Sequence, residues 1–166
     1  MTLNGRIETF PKELKLLIAA FIVVLSVGFY TGLLFVSETS ANSPHGIEEQ
    51  YLGNEDDLDA KIMKFKKNEK QMLTLVHGHI LSMSIIFFLT GLVLITTRLN
   101  LKLKLFLLIE PFVSIILTFG GVFLLWKGML WIKYVVMFSG LLMTLSYTLA
   151  VLIILKQLLK SSVKLR

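Results

Sequence analysis

The sequence predicts an all-α fold, a polytopic membrane protein built as an antiparallel four-helix transmembrane bundle. Three observations predict it. Of the 166 residues 55% are hydrophobic and 17% charged, against about 25% charged in a soluble domain, and the mean hydropathy is +0.76. The charges crowd into 6–15, 38–70, 98–104, 127–133 and 156–166, leaving uncharged runs between them. Those runs match the length that a hydrocarbon core of about 30 Å demands of a helix rising about 1.5 Å per residue.

Residues 1–15 form a short basic flank with Arg6, Lys12 and Lys15, and Pro11 sits where it can open a helix. The first span is 16–36. It is too long for the apolar region of a cleaved signal peptide, and Thr39-Ser40-Ala41 is a poor cleavage site. Residues 37–71 make the one sizeable extramembrane segment, opening with the loop composition Ser-Glu-Thr-Ser-Ala-Asn-Ser-Pro-His-Gly. Within it an acidic run, 54–59, precedes a basic one, 61–67, and the pair is expected to fold back on itself at headgroup level. The acidic run lacks the ligand order and the glycine of a calcium loop, so it reads as a solvated charge run, and His45, after Pro44, reads as solvated. The second span is 72–97, the third 105–126 and the fourth 134–155, joined by basic links of loop length and followed by a basic tail, 156–166. The whole chain, 1–166, reads as one membrane domain without internal repeats.

Charge fixes the expected orientation. Ten Lys and Arg (Arg6, Lys12, Lys15, Arg98, Lys102, Lys104, Lys156, Lys160, Lys164, Arg166) fall on one side. Seven (Lys61, Lys64, Lys66, Lys67, Lys70, Lys127, Lys133) fall on the other. The positive-inside rule then puts both termini in the cytoplasm and 37–71 outside, in the periplasm of a Gram-negative bacterium. Trp126, Trp131 and Tyr134 are expected as an aromatic belt on the outer side. The net charge of +6 is juxtamembrane, so it argues for anionic headgroups and against nucleic acid. Absence of cysteine excludes disulfides, thiolate metal sites and covalent c-type haem within this chain.

Ionisable side chains inside spans are costly and are usually functional or paired. His77, His79 and Glu110 are the three here. Residues two apart on a helix diverge by about 200°, so the histidines cannot share one ion from a regular helix. His79 shares a face with Met72, Ser82, Met83 and Ile86, and His77 one with Leu73, Thr74, Leu81 and Ser84. One face is expected to look into the bundle and the other toward a neighbouring chain or the headgroups. The plain role for each is a hydrogen bond to a neighbouring helix. A sharper role is axial ligation of haem b, which needs a second ligand from Met137, Met143 or another subunit. His79, Met83 and Met72 also form a candidate soft site for Cu(I), although methionine is ordinarily packing material. A proton relay through a histidine and Glu110 is a third reading. Glu110 itself is expected to be held by Thr144 or Ser146, or to stay protonated through desolvation. Gly120-Gly121 and the stripe Gly140, Thr144, Thr148 suggest close helix approach.

The segment Leu-Val-His-Gly-His-Ile-Leu-Ser-Met-Ser-Ile-Ile-Phe-Phe-Leu-Thr-Gly-Leu-Val-Leu, residues 75–94, resembles the second helix of the catalytic subunits of haem-copper oxidases and nitric oxide reductases. That resemblance implies that one of its histidines ligates low-spin haem. The chain lacks the further helices and later histidines of those enzymes, so oxygen or nitric oxide reduction by it alone is not implied. Residues 28–97 are also similar to small, largely uncharacterised bacterial four-helix membrane proteins with a His-x-His at this place. The similarity is carried by Gly46-Ile47, 51–55, Met63-Lys64-Phe65 and Gln71-Met72-Leu73 as well.

No GxSxG, HExxH, Walker, GxGxxG or CxxC motif is present, so nothing in the sequence marks the chain as an enzyme by itself. The expectation is an integral subunit of a larger inner-membrane complex, respiratory or electron-transferring in kind. It would contact lipid and other membrane subunits and contribute His77 or His79, with Met83 nearby, toward haem b. The alternatives are a structural or assembly subunit whose histidines anchor helices, and a small proton-coupled or metal transporter.

Overall fold

The computed structural model describes residues 5–40, 43–57, 60 and 62–159. Ala41, Leu58, Asp59, Lys61, Lys160, Lys164 and Arg166, which enter the expectations above, lie outside the described residues. Four helices long and apolar enough to cross a membrane make up the bundle, and the described residues contain no strand. They are α1 (Lys12–Ser40), α3 (Glu69–Ile95), the composite of α4 (Leu101–Ile115), a π-helical turn (Ile116–Gly120) and α5 (Gly121–Trp126), and α6 (Ile132–Leu159). A short amphipathic helix, α2 (Pro44–Leu52), lies between the first two spans.

Every span outlasts its apolar run because caps and charged ends continue it. α1 begins after Pro11, whose carbonyl accepts the Lys15 N–H at 3.0 Å. α3 opens with a capping box in which Asn68 and Gln71 each satisfy the other's backbone N–H at 2.9 Å. α6 is the central helix. Its buried positions, Val136, Ser139, Met143, Ser146, Tyr147, Ala150 and Ile154, recur every three or four residues, and α6 packs on each of the other spans. Of the apolar stretch of α1 only 11% is buried, against 39% in each of the last two spans.

The third and fourth spans are antiparallel with a readable register. Thr118 Oγ1 lies 2.8 Å from Ser139 Oγ. Gly121 is approached so closely that a Cβ there would lie 2.7 Å from Val136 Cγ2. Gly121 is thus a contact glycine, as expected, whereas Gly120 and Gly140 face open space.

The segment between the first two spans is more ordered than its composition suggests, and reading its first half as loop is corrected. Ser43 caps α2 by accepting the Gly46 N–H at 2.9 Å, and Pro44 takes the first helical turn, where its missing N–H costs nothing. Gly46 rides against the end of α1, where a Cβ would sit 1.9 Å from the Ser40 carbonyl oxygen. The chain then reverses at Gly53, whose φ of +86° leaves no room for a side chain beside the Lys66 amide. The expected fold-back is present among the described residues, between Asn54 and the chain from Ile62 onward, organised by one asparagine. Asn54 Oδ1 accepts the Lys64 N–H at 2.6 Å and its amide donates to Ile62 O at 3.0 Å.

This cap is fastened to the bundle by three kinds of contact. Ile47 packs with Leu125 and Ile132. Lys133 pairs with Glu48 at 2.5 Å. Trp126 Nε1 donates to Lys67 O at 2.7 Å, with the Lys127 ammonium 4.6 Å from the indole centroid. Trp126 is therefore a buried fastener under the cap, not a belt residue, because its N–H finds a partner there. Trp131 and Tyr134 are exposed, as a belt requires. His45 is largely exposed, as expected, and pairs with Glu49 at 3.1 Å.

The opposite end is tied as well. The flank expected to be simple forms a 3-10 turn (Ile7–Thr9) tucked against the link between α3 and α4. Ile7 is fully buried and its N–H donates to Thr96 O at 3.1 Å. Arg98 pairs with Glu8 at 3.1 Å, and Gln157 of α6 accepts from Arg98 N at 2.7 Å and donates to Arg98 O at 2.9 Å.

Candidate functional site

α3 is apolar all round, so its inward face is set by packing. Met72, Val76, Ile80, Met83, Phe87, Thr90 and Leu94 form a stripe at steps of three or four, from fully buried to half-buried. His77 and His79 lie on opposite flanks of that stripe, and both are exposed. The divergence expected from helical geometry is present. The expectation that one of them looks into the bundle is corrected, because the stripe passes between them.

His79 is held by two contacts. Its Nδ1 is 2.8 Å from Leu75 O, and its ring lies 4.8 Å from that of Phe119 in the π-helical turn. A carbonyl only accepts, so Nδ1 carries the hydrogen it donates there, and Nε2 makes no hydrogen bond among the described residues. A shallow groove open to the outside runs beside it, lined by Lys70, Gln71, Thr74, Gly78, His79 and Ser82. His77 makes no hydrogen bond or ion pair among the described residues.

The other candidate ligands are placed differently. Met72 is fully buried with Val122, Trp126 and Val136, and Met83 packs on the main core, so neither joins His79 in an open cluster. No group of three His, Asp or Glu side chains able to hold a metal occurs among the described residues. Met143 is buried in the core with Tyr147 and Phe87, and Met137 packs by the cap. A haem bridged between α3 and α6 inside the bundle does not fit this arrangement.

Glu110, on α4, is buried, as are Ser114 and Ser146. Its partner is Ser114, whose hydroxyl donates to Glu110 Oε1. The expected partners do not serve. Thr144 donates to its own Gly140 O at 2.9 Å, and Ser146 Oγ has no partner, as is also true of Glu110 Oε2. Ser114 stands four residues after Glu110 on the same helix, a spacing that brings side chains together and was legible in the sequence. Around this site Phe29 stacks on Tyr147 with centroids 4.0 Å apart, Ser26 Oγ lies 3.2 Å from Tyr147 Oη, and Tyr30 Oη lies 2.8 Å from Thr148 Oγ1.

Four membrane-length helices, polar side chains within the spans and ordered ends define a multi-pass, α-helical integral membrane protein in contact with the lipid bilayer. A family model described as a transmembrane helical domain (Aq_1264_TM) matches residues 41–165, from the cap through the last three spans. The chain belongs to that family. No curated protein and no solved structure matches it.

Proposed function

We propose that this protein is an integral component of a larger membrane assembly and docks other membrane subunits through the uncovered side of α3. One observation carries the reading. Within an otherwise apolar span, His77, His79, Thr74 and Ser82 are all exposed, and His79 bonds to its own helix and not to a neighbouring one. Lipid tails cannot satisfy imidazole or hydroxyl groups, so a neighbouring chain that can is the fitting occupant. The small burial of α1 and α3 is consistent with faces reserved for partners. We place the assembly in a bacterial inner membrane with both termini cytoplasmic and the cap outside, on the Lys and Arg distribution.

The respiratory form of this reading is favoured by one further feature. The Leu75 carbonyl engages His79 through Nδ1 and leaves Nε2, the nitrogen through which an imidazole would ligate iron, without a hydrogen bond among the described residues. Haem b shared with a partner would take that nitrogen as one axial ligand. In the purely structural alternative the same nitrogen accepts a hydrogen bond.

The tests are direct. A photoreactive residue at position 77 or 81 should crosslink to protein in intact membranes, whereas one at Phe138, an exposed position on α6, should label lipid. Lipid adducts alone from both sites would overturn the docking reading. A reduced-minus-oxidised spectrum of the mildly solubilised complex should show a b-type band that His79→Gln removes. Its absence would end the haem reading and leave the docking one standing.

A further inference from the structure

The middle of the bundle holds a carboxyl group whose charge nothing in the fold offsets. Glu110 is 8% exposed and Ser146 3%, and Glu110 Oε2 and Ser146 Oγ are both buried without a partner. The register brings them to one level. From the Thr118–Ser139 contact, two turns back along α4 reach Glu110, and two turns on along antiparallel α6 reach Tyr147 and its neighbour Ser146.

The other helices bring no base to this level. α1 contributes Ser26 and Tyr30 beside Tyr147 and Thr148. α3 contributes Phe87, packed edge-on to Tyr147, and Thr90, whose hydroxyl donates to Ile86 O at 2.8 Å. The ionisable groups here are thus Glu110, Tyr147 and Tyr30. Lys104, the nearest lysine along α4, is engaged by the Ile95 and Thr97 carbonyls at the helix end.

A lone carboxylate out of water is not tolerated and must take up a counter-charge. The atoms to hand are hard oxygens, two from Glu110 and the hydroxyls of Ser114 and Ser146. Hard oxygens around a single carboxylate suit a small, hard, singly charged cation.

We propose that Glu110, Ser114 and Ser146 form an intramembrane binding site for a small monovalent cation, a proton or an alkali ion such as sodium. As a proton it sits on Oε2, which the fold leaves without a hydrogen-bond partner. As sodium it draws on the same oxygens.

Reaction of the full chain in detergent with dicyclohexylcarbodiimide, a hydrophobic reagent for protonated carboxyls, tests this. The carboxyl oxygen bonds to the central carbon of the reagent, its proton moves to a nitrogen, and acyl migration leaves a stable N-acylurea at Glu110. Labelling is expected at acid pH without sodium. A proton-only site loses it at least tenfold as pH rises, with sodium indifferent. An alkali site loses it at fixed pH when sodium replaces choline. No labelling of Glu110 at acid pH without sodium, or labelling unmoved by both pH and sodium, overturns the proposal. Ser146→Ala removes a hydroxyl that bonds nothing in the fold, so the protein should remain folded while the labelling midpoint shifts by at least threefold in cation concentration. An unshifted midpoint refutes the role of Ser146 and with it the site as described.

Discussion

Replacing Gln157 should loosen the end of the bundle opposite the cap by a predictable amount. Its side-chain amide pairs with the backbone of Arg98 as a second backbone would, accepting at 2.7 Å and donating at 2.9 Å. A neutral hydrogen bond of this kind contributes about 0.5–1.5 kcal/mol, so the pair amounts to about 1–3 kcal/mol. Arg98 is itself an exposed residue, and water re-solvates part of what Gln157→Leu abandons. The expectation therefore falls in the lower half, about 1–2 kcal/mol, or roughly 2–8 °C in thermal midpoint for a chain of this size. Gln157→Glu should cost more than Leu. Its carboxylate still accepts from Arg98 N but sets an oxygen against Arg98 O. Midpoints in detergent, with hydrogen exchange at the Arg98 amide, measure both. A Leu variant within about 0.5 kcal/mol of the parent, or a Glu variant more stable than Leu, would refute the account of this clamp.

The cap offers further checks. Gly46→Ala puts a methyl group into the Ser40 carbonyl and should cost at least about 3 kcal/mol, the upper end of overpacking, read as protease cleavage between α1 and α3 under conditions that spare the parent. Trp126→Phe leaves Lys67 O without its donor and should cost about 1 kcal/mol, measured as a lowered thermal midpoint. Lys133→Met breaks the pair with partly exposed Glu48, and a loss of at most about 1 kcal/mol that shrinks in high salt is expected. Burial pushes the Tyr51 phenol above its ordinary value of 10.0. The folded cap then holds that proton more tightly than the unfolded chain, so its contribution is intact below about pH 10 and lost as pH rises through the folded value. Tyr51→Phe should flatten that alkaline loss in a pH series of cap stability.

The four spans were legible because hydrocarbon thickness fixes helix length, and the charge clusters mark where each run ends. Beyond the runs, the fold-back after Asn54 was legible and the helix α2 was not. Ser43-Pro44 is a helix-start signal, but it sat in a stretch whose serines, asparagine and glycine also spell loop, and the docking of α2 on Leu125 and Ile132 decided the matter. The histidine pair shows a different limit. Helical geometry gave their divergence. Their positions on either flank of the buried stripe were hidden because a span that is apolar on every side carries no periodicity. Glu110 is met by Ser114, one turn along its own helix, and not by Thr144 or Ser146 across the bundle. Gln157 escaped notice because its partner is backbone, which composition does not display.

The tucked turn at Ile7–Thr9 bears on the order in which the molecule is made. α1 is the first of the spans to leave the ribosome, yet Ile7 needs Thr96, Glu8 needs Arg98, and Ser26 and Tyr30 need Tyr147 and Thr148 on the last span. Until those residues have been synthesised and inserted, α1 waits in the bilayer with little to hold it. The first of the four spans to be made is therefore the last to be locked, and the Tyr30 hydroxyl stays open in the meantime to an insertase or a partner subunit.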